Sequence, residues 1–291
     1  MLYEIAILSG MIWFQFRQIG PYWTSGLIAG SLVSVYLSGR ISGKMTALAS
    51  GRFWFLPLCL SSALGIISPL CMYGTVPLIA ALGKKGVPQS ILTAFMVSSI
   101  LLNPNLFIFS FALGSSLALL RLLLSFLSGV LAGSLVRILF RDKELFSFER
   151  FDTPADKKKK NFFHDLFKAF RITFPYLLFG ISLSALFDRY VPPEWISGIF
   201  GARRGLGVLF AASISIPLYV CGGGTIPLLR AWMHAGMGQG DAMTFMLSGP
   251  AVKITNLSAV KMIFGTRHFF FYILYSLGFA IIAGLVIEYI L

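Results

Sequence analysis

The sequence predicts an all-α polytopic membrane protein, from an apolar composition, apolar stretches of membrane length, and an internal repeat. Of 291 residues, 57% are hydrophobic and 12% charged, with a mean hydropathy of +0.82. A soluble domain carries about 25% charged residues, so the solvent this surface suits is lipid. A spanning helix needs about 20 apolar residues. Residues 22–37, 53–69, 116–139, 170–186, 206–219 and 269–290 approach that length. No ten-residue alternating segments occur, which disfavours a barrel.

Residues 1–16 lack a basic leader and carry Glu4, so they read as an interfacial or short N-terminal helix rather than a secretory signal. The repeat follows. An offset of 150 superposes Cys71 on Cys221, Gly74-Thr75 on Gly224-Thr225, Pro77-Leu78 on Pro227-Leu228 and Gly86 on Gly236. It gives 11 identities over residues 71–98. With small indels, Pro21-Tyr22 falls on Pro175-Tyr176 and Asn105-Leu106 on Asn256-Leu257. Membrane repeats at 17–140 and 166–291 therefore flank a polar basic linker at 141–165.

Each repeat reads as about five crossings with a broken, re-entrant helix near the midplane. In the first, the segments are 19–38, 53–68, 74–84, 88–114 with a break at Asn103-Pro104-Asn105, and 117–140. An odd number of crossings makes the second repeat enter from the opposite face, the inverted topology of many secondary transporters. With the linker placed in the cytoplasm, 17 of the 24 Lys and Arg residues fall on that side, as the positive-inside rule requires. Arg17, Arg121, Arg189, Arg203 and Arg204 are then assigned outside, and Arg230 and Lys253 lie within apolar segments.

The net charge of +13 is spread over short loops between spans, which suits anionic lipid rather than nucleic acid. Cys59, Cys71 and Cys221 form no CxxC or zinc-ligand pattern, so neither a disulfide scaffold nor a structural zinc site is expected. No GxxxxGK[ST] loop occurs, and no ATP hydrolysis is expected. Neither an enzyme nor a cofactor is called for. The partners expected are a small-molecule or ion substrate and the bilayer, with a homo-oligomer allowed.

Three constellations stand out. The first is the pair of interruptions, Cys71-Met-Tyr-Gly74-Thr75-Val-Pro77 and Cys221-Gly-Gly223-Gly224-Thr225-Ile-Pro227. Broken backbone at membrane depth is tolerated where it is buried in protein or lines a cavity. Two such breaks related by inversion face one another near the midplane and direct short-helix amides and threonine hydroxyls into a shared space. Soft thiols there would suit a thiophilic solute, and would be the ligands if that solute is a soft metal or metalloid; small packing cysteines are the plainer reading. Cys59 has no repeat mate and is expected to be structural.

The second constellation is Arg230, Asp241 and Lys253, placed for gating or coupling. A charge at such depth costs about 3 kcal/mol unless paired or wet, so Asp241 is expected to pair with Arg230 or Lys253. A structural ion pair or snorkelling would serve equally. The third comprises Asn103-Pro104-Asn105 and Ser248-Gly249-Pro250 with Thr255-Asn256. These amides can line a pathway or re-satisfy backbone groups freed by the prolines.

The strings PPEWI at 192–196, IPLYVCGGGTIPL at 216–228 and FMLSGPAVKITN at 245–256 resemble the YraQ-type predicted permeases, a group related to the ArsP-type organoarsenical efflux permeases. The resemblance spans nearly the whole chain. It implies a multi-pass permease of the prokaryotic cytoplasmic membrane, with Cys221 and, more loosely, Cys71 handling a thiophilic substrate such as a trivalent arsenical. Many relatives carry Cys-Ser-Cys-Gly where this chain has Cys71-Met72-Tyr73-Gly74, which leaves one thiol fewer. The leading expectation is a secondary permease for such a solute. The alternatives are a sulfur-oxyanion or other small-anion permease, a passive channel, and a membrane redox partner of a thioredoxin-like protein.

Overall fold

A computed structural model describes residues 54–70, 72–84, 86–140, 145–146, 206–219, 225–234 and 236–290, with scattered positions between 4 and 28 and between 163 and 182. The regular secondary structure of the described residues is helical, without strands. Most of the linker and the first crossing expected in each repeat lie outside them.

Local chemistry sets the helix ends. α1 (Phe55–Ile67) stops at Ser68, which is extended (φ −69°, ψ 131°) because Pro69 follows and the residue before a proline is driven from helical space. α2 (Met72–Gly83) and α3 (Gln89–Leu101) are joined by a hairpin turning at Gly86, φ +80°, a left-handed conformation that glycine adopts without a Cβ penalty. α4 (Pro104–Ser110) begins with its proline, and the Asn103 side chain caps it by accepting Leu106 N–H at 2.9 Å. Proline suits a first helical turn, where its missing N–H is not needed.

A 3₁₀ turn, Phe111–Leu113, leads through Gly114 (φ +122°) into α5 (Ser115–Leu139). Its 25 residues extend about 38 Å, more than a bilayer core needs.

The same order then recurs. α6 (Leu206–Leu218), α7 (Thr225–His234) and α8 (Gln239–Val252) precede α9 (Ile254–Ile290), which kinks at Gly265, φ +64°. Gly236, φ +105°, occupies the second hairpin where Gly86 occupies the first. Gly265 corresponds to Gly114 at the entry to the last long helix of each set. Among the described residues, three stretches are long and apolar enough to cross a membrane: Gln89–Leu113, Ser115–Leu139 and His268–Ile290.

Helices α1, α3 and α5 pack as one group, and α6, α8 and α9 as another; α3 and α8 meet at the junction. Both central helices are buried almost all round. Small residues permit the close approach: Gly129 of α5 lies against Ser62 of α1 and Ala94 and Ser98 of α3, and Gly284 of α9 lies against Gly240 and Thr244 of α8. Where lipid is as apolar as leucine, such contacts and interhelical hydrogen bonds replace the hydrophobic drive. Ser61 and Ser62 of α1 supply two of these bonds, to Ile91 O at 2.8 Å and Phe126 O at 2.9 Å.

α5 shows the inside-out patterning that lipid imposes. Leu119, Leu123, Leu127 and Leu131 are exposed along one stripe, while Arg121, Ser125, Ser128 and Gly129 face inward. The polar face of a membrane helix turns to protein because an unmet polar group in hydrocarbon costs several kcal/mol. Arg121, assigned by loop counting to the external side, is instead in the second turn of α5 and is fully buried. The count treated it as a flanking charge because only one turn of helix precedes it.

Candidate functional site: the junction of the two helix sets

Four of the paired-break residues, Cys71, Cys221, Gly223 and Gly224, lie outside the described residues. Their immediate neighbours are described. Gly74 and Thr75 fall in the first turn of α2, and Thr225 opens α7. Both threonines are buried, at 0% and 2% exposure. Pro77 and Pro227 lie within the opening turns of the same helices.

Hydroxyls collect beside these breaks. Thr75 Oγ1 lies 3.2 Å from Ser99 Oγ, which lies 3.3 Å from Ser68 Oγ. The chain joins the end of α1, the start of α2 and the body of α3. In the second set, Ser248 of α8 donates to Ser215 of α6 at 2.7 Å. Each central helix thus carries hydroxyls toward its set's first helix.

The prolines free backbone groups, and side chains answer them. Pro250 lies inside α8 and has no N–H to give the carbonyl of Met246, one turn earlier. That oxygen lies 3.3 Å from Arg121 Nη2. Asn256 donates to Pro250 O at 2.6 Å. Asn103 thus accepts from backbone and Asn256 donates to it.

Arg121 is the functional candidate that residue-type scanning missed. Its Nη1 donates to Ser110 Oγ at 2.8 Å, and Nη2 reaches Leu101 O, Tyr219 Oη and Met246 O at 3.3–3.4 Å. Two acceptors end helices of the first set, and two belong to the second. Leu101 O lies at the C-terminal end of α3, where the helix dipole favours a cation. Tyr219 belongs to the 216–228 string and approaches because Gly249, in the 245–256 string, has no side chain: a Cβ there would meet the Tyr219 ring. Both strings thus converge on one guanidinium.

The charged trio is not brought together. Arg230 is exposed on α7. Lys253 is 2% exposed and forms the C-cap of α8. Asp241 stands at the opposite end of α8, about 18 Å away along the axis. The expected pairing of Asp241 with Arg230 or Lys253 does not form: Asp241 Oδ2 accepts Gly238 N–H at 3.4 Å, and Oδ1 has no hydrogen-bond partner. Placement on one helix 12 residues apart prevents the second pairing. The first is lost because the acid serves the start of its own helix.

Among the described residues, no group of three or more His, Cys, Asp or Glu side chains is placed to hold a metal ion. Cys59 is partly buried and packs against the core of the first set.

Comparison with known proteins agrees with a membrane-permease architecture. A Methanocaldococcus jannaschii protein, UPF0718 protein MJ0584, is 26% identical over 173 residues, which are 60% of this chain and 44% of that one. UPF0718 protein YcgR of Bacillus subtilis is 31% identical over 117 residues, 40% of this chain and 39% of its own. The chain therefore spans less than half the length of these two relatives. A Streptococcus mutans protein, named as a subunit of a two-component membrane permease complex, is 26% identical over 258 residues, covering 85% of this chain and 83% of its own. No solved structure matches. The ArsP_1 family model, described as "Predicted permease", matches residues 19–289, and with all but the chain's ends inside that match, this membrane protein belongs to the ArsP_1 predicted permease family.

Proposed function

We propose that the chain is a secondary permease of the prokaryotic cytoplasmic membrane, carrying a small thiophilic solute, such as a trivalent arsenical or soft metal species, through a site between two inverted repeats. The observation that supports this best is the recurrence of one set of helix breaks at an offset of 150, with Thr75 and Thr225 buried beside them. Buried irregular backbone in a membrane needs a protein-lined or solvated space, and inverted breaks at mid-depth are how secondary transporters make one.

In this reading Cys71 and Cys221 contact the solute, Gly74, Gly223 and Gly224 let backbone approach it, and Thr75 and Thr225 orient it. Pro77 and Pro227 end the amide ladder beside it. Arg230, Asp241, Lys253, Asn103 and Asn256 couple or gate. The linker at 141–165 is cytoplasmic, and the halves rock about the shared site.

A thermal-shift assay on the purified chain in detergent tests the thiol role, with reduced arsenicals and soft metal ions as probes. Stabilisation that vanishes in the Cys71→Ala/Cys221→Ala double variant is expected; stabilisation that survives it contradicts the assignment. The burial of Lys253 favours a second reading, a small-anion permease. In that case sulfite or thiosulfate stabilises the chain, the cysteine variant retains the effect, and Lys253→Met loses it.

A further inference from the structure

We propose that Asp241 and Glu288 form a binding site for one proton, the ion whose movement the permease couples to its solute. Asp241 is 5% exposed, and its Oδ1 is buried without a hydrogen-bond partner. Glu288, 47 residues later in the last turn of α9, reaches the same helix start: its Oε2 accepts Gly240 N–H at 3.1 Å. Gly238 is bracketed by both acids. Its N–H goes to Asp241 Oδ2, while a Cβ on it would meet the Glu288 carboxylate. Gly240 and Gly207 lack side chains where Glu288 and Asp241 respectively press against them. The three glycines thus make room for two carboxylates at one helix start.

Among the described residues, the surrounding elements bring no neutralising partner to the open oxygen. α6 carries no ionisable side chain, and α9 contributes Glu288. α7 carries Arg230 and His234, neither of which bonds Asp241 Oδ1. Two like charges in a low-dielectric setting repel strongly, and the amides at the start of α8 offset part of that cost. A single proton removes the rest and gives Oδ1 a role, as either donor or acceptor in a carboxyl–carboxylate bond. The proton arrives from hydronium on one face, leaving water, and departs to water on the other when the site reopens; no oxidant or second reactant is involved.

The first repeat has Ile91 and Pro88 where the second has Asp241 and Gly238, so this site belongs to one half. That asymmetry suits a coupling ion, which needs one site beside a shared solute pathway. Coupling rests on the permease reading; the proton site does not.

Infrared difference spectroscopy of the full chain in lipid vesicles, stepped from alkaline to acid pH, reads the site without any solute. The expected result is that, among the carboxyl bands the acid step raises from the chain's 11 Asp and Glu residues, one component set apart from those of the exposed acids is present in the wild type, lost in Asp241→Asn and displaced in Glu288→Gln. Both variants keep an oxygen acceptor for the Gly238 and Gly240 amides, and unchanged thermal unfolding verifies their folding. That component retained in Asp241→Asn, or missing from the wild type, overturns the proposal. In the same vesicles loaded with a pH-sensitive dye, proton entry driven by an applied reduced-arsenical gradient is expected to fall at least tenfold in Asp241→Asn. If arsenical flux occurs without proton entry even in the wild type, the coupling role is overturned; if no arsenical moves, the arsenical reading fails while the infrared result still judges the proton site.

Discussion

Arg121 meets four acceptors drawn from both helix sets, and none of them is a carboxylate. Its planar fork is what allows this, since a lysine ammonium offers one point of charge with no fixed spread of donors. Arg121→Lys is therefore expected to destabilise the protein by about 2 kcal/mol, and Tyr219→Phe by about 1 kcal/mol, as hydrogen bonds to a charged group are lost. Thermal unfolding in detergent checks both. Combined in one chain, the two substitutions should cost less than their sum, because the shared bond can be lost only once; strict additivity would show that Tyr219 does not hold Arg121. Gly249→Ala should cost a further 1–3 kcal/mol or so by driving a methyl into the Tyr219 ring.

Glycine does different work along different helices. Gly114 and Gly265 sit at positive φ where short helices turn into long ones, so alanine at either is expected to lower stability by about 1–2 kcal/mol. Gly278 is helical with open space where a Cβ would stand, so Gly278→Ala should raise stability by about 1 kcal/mol. Chemical denaturation of the three variants separates the cases; a Gly114→Ala protein as stable as the parent would contradict the left-handed turn. The helix ends were legible because their causes are local: Pro69 ends α1, Asn103-Pro104 starts α4, and Gly86 turns the hairpin. The inward face of Arg121 was not, since its acceptors lie up to 125 residues away and an arginine one turn from a helix start looks like an interfacial anchor. The Asp241–Glu288 cluster escaped for the same reason. Only packing of α9 on α8 brings Glu288 to Gly238 and Gly240.

Among the described residues, two groups of three helices meet along α3 and α8, with Arg121 bridging both and Tyr275 of the second set donating to Ser128 O of the first at 2.6 Å. A permease that alternates its access by rocking one group against the other must remake these few bonds, while the small-residue contacts within each group stay intact. Gly129→Leu, which wedges α5 away from α1 and α3, should accordingly unfold the first group rather than merely slow transport. If the groups are inverted copies, as proposed, the two hairpins lie on opposite faces of the membrane. Single cysteines at Lys84 and His234, in a chain whose Cys59, Cys71 and Cys221 are replaced by alanine, test it directly with a membrane-impermeant thiol reagent applied to oriented vesicles. Labelling of position 84 from the cytoplasmic face and position 234 from the other is the predicted result, and labelling of both from one face would contradict the inverted architecture and the shared transport site built on it.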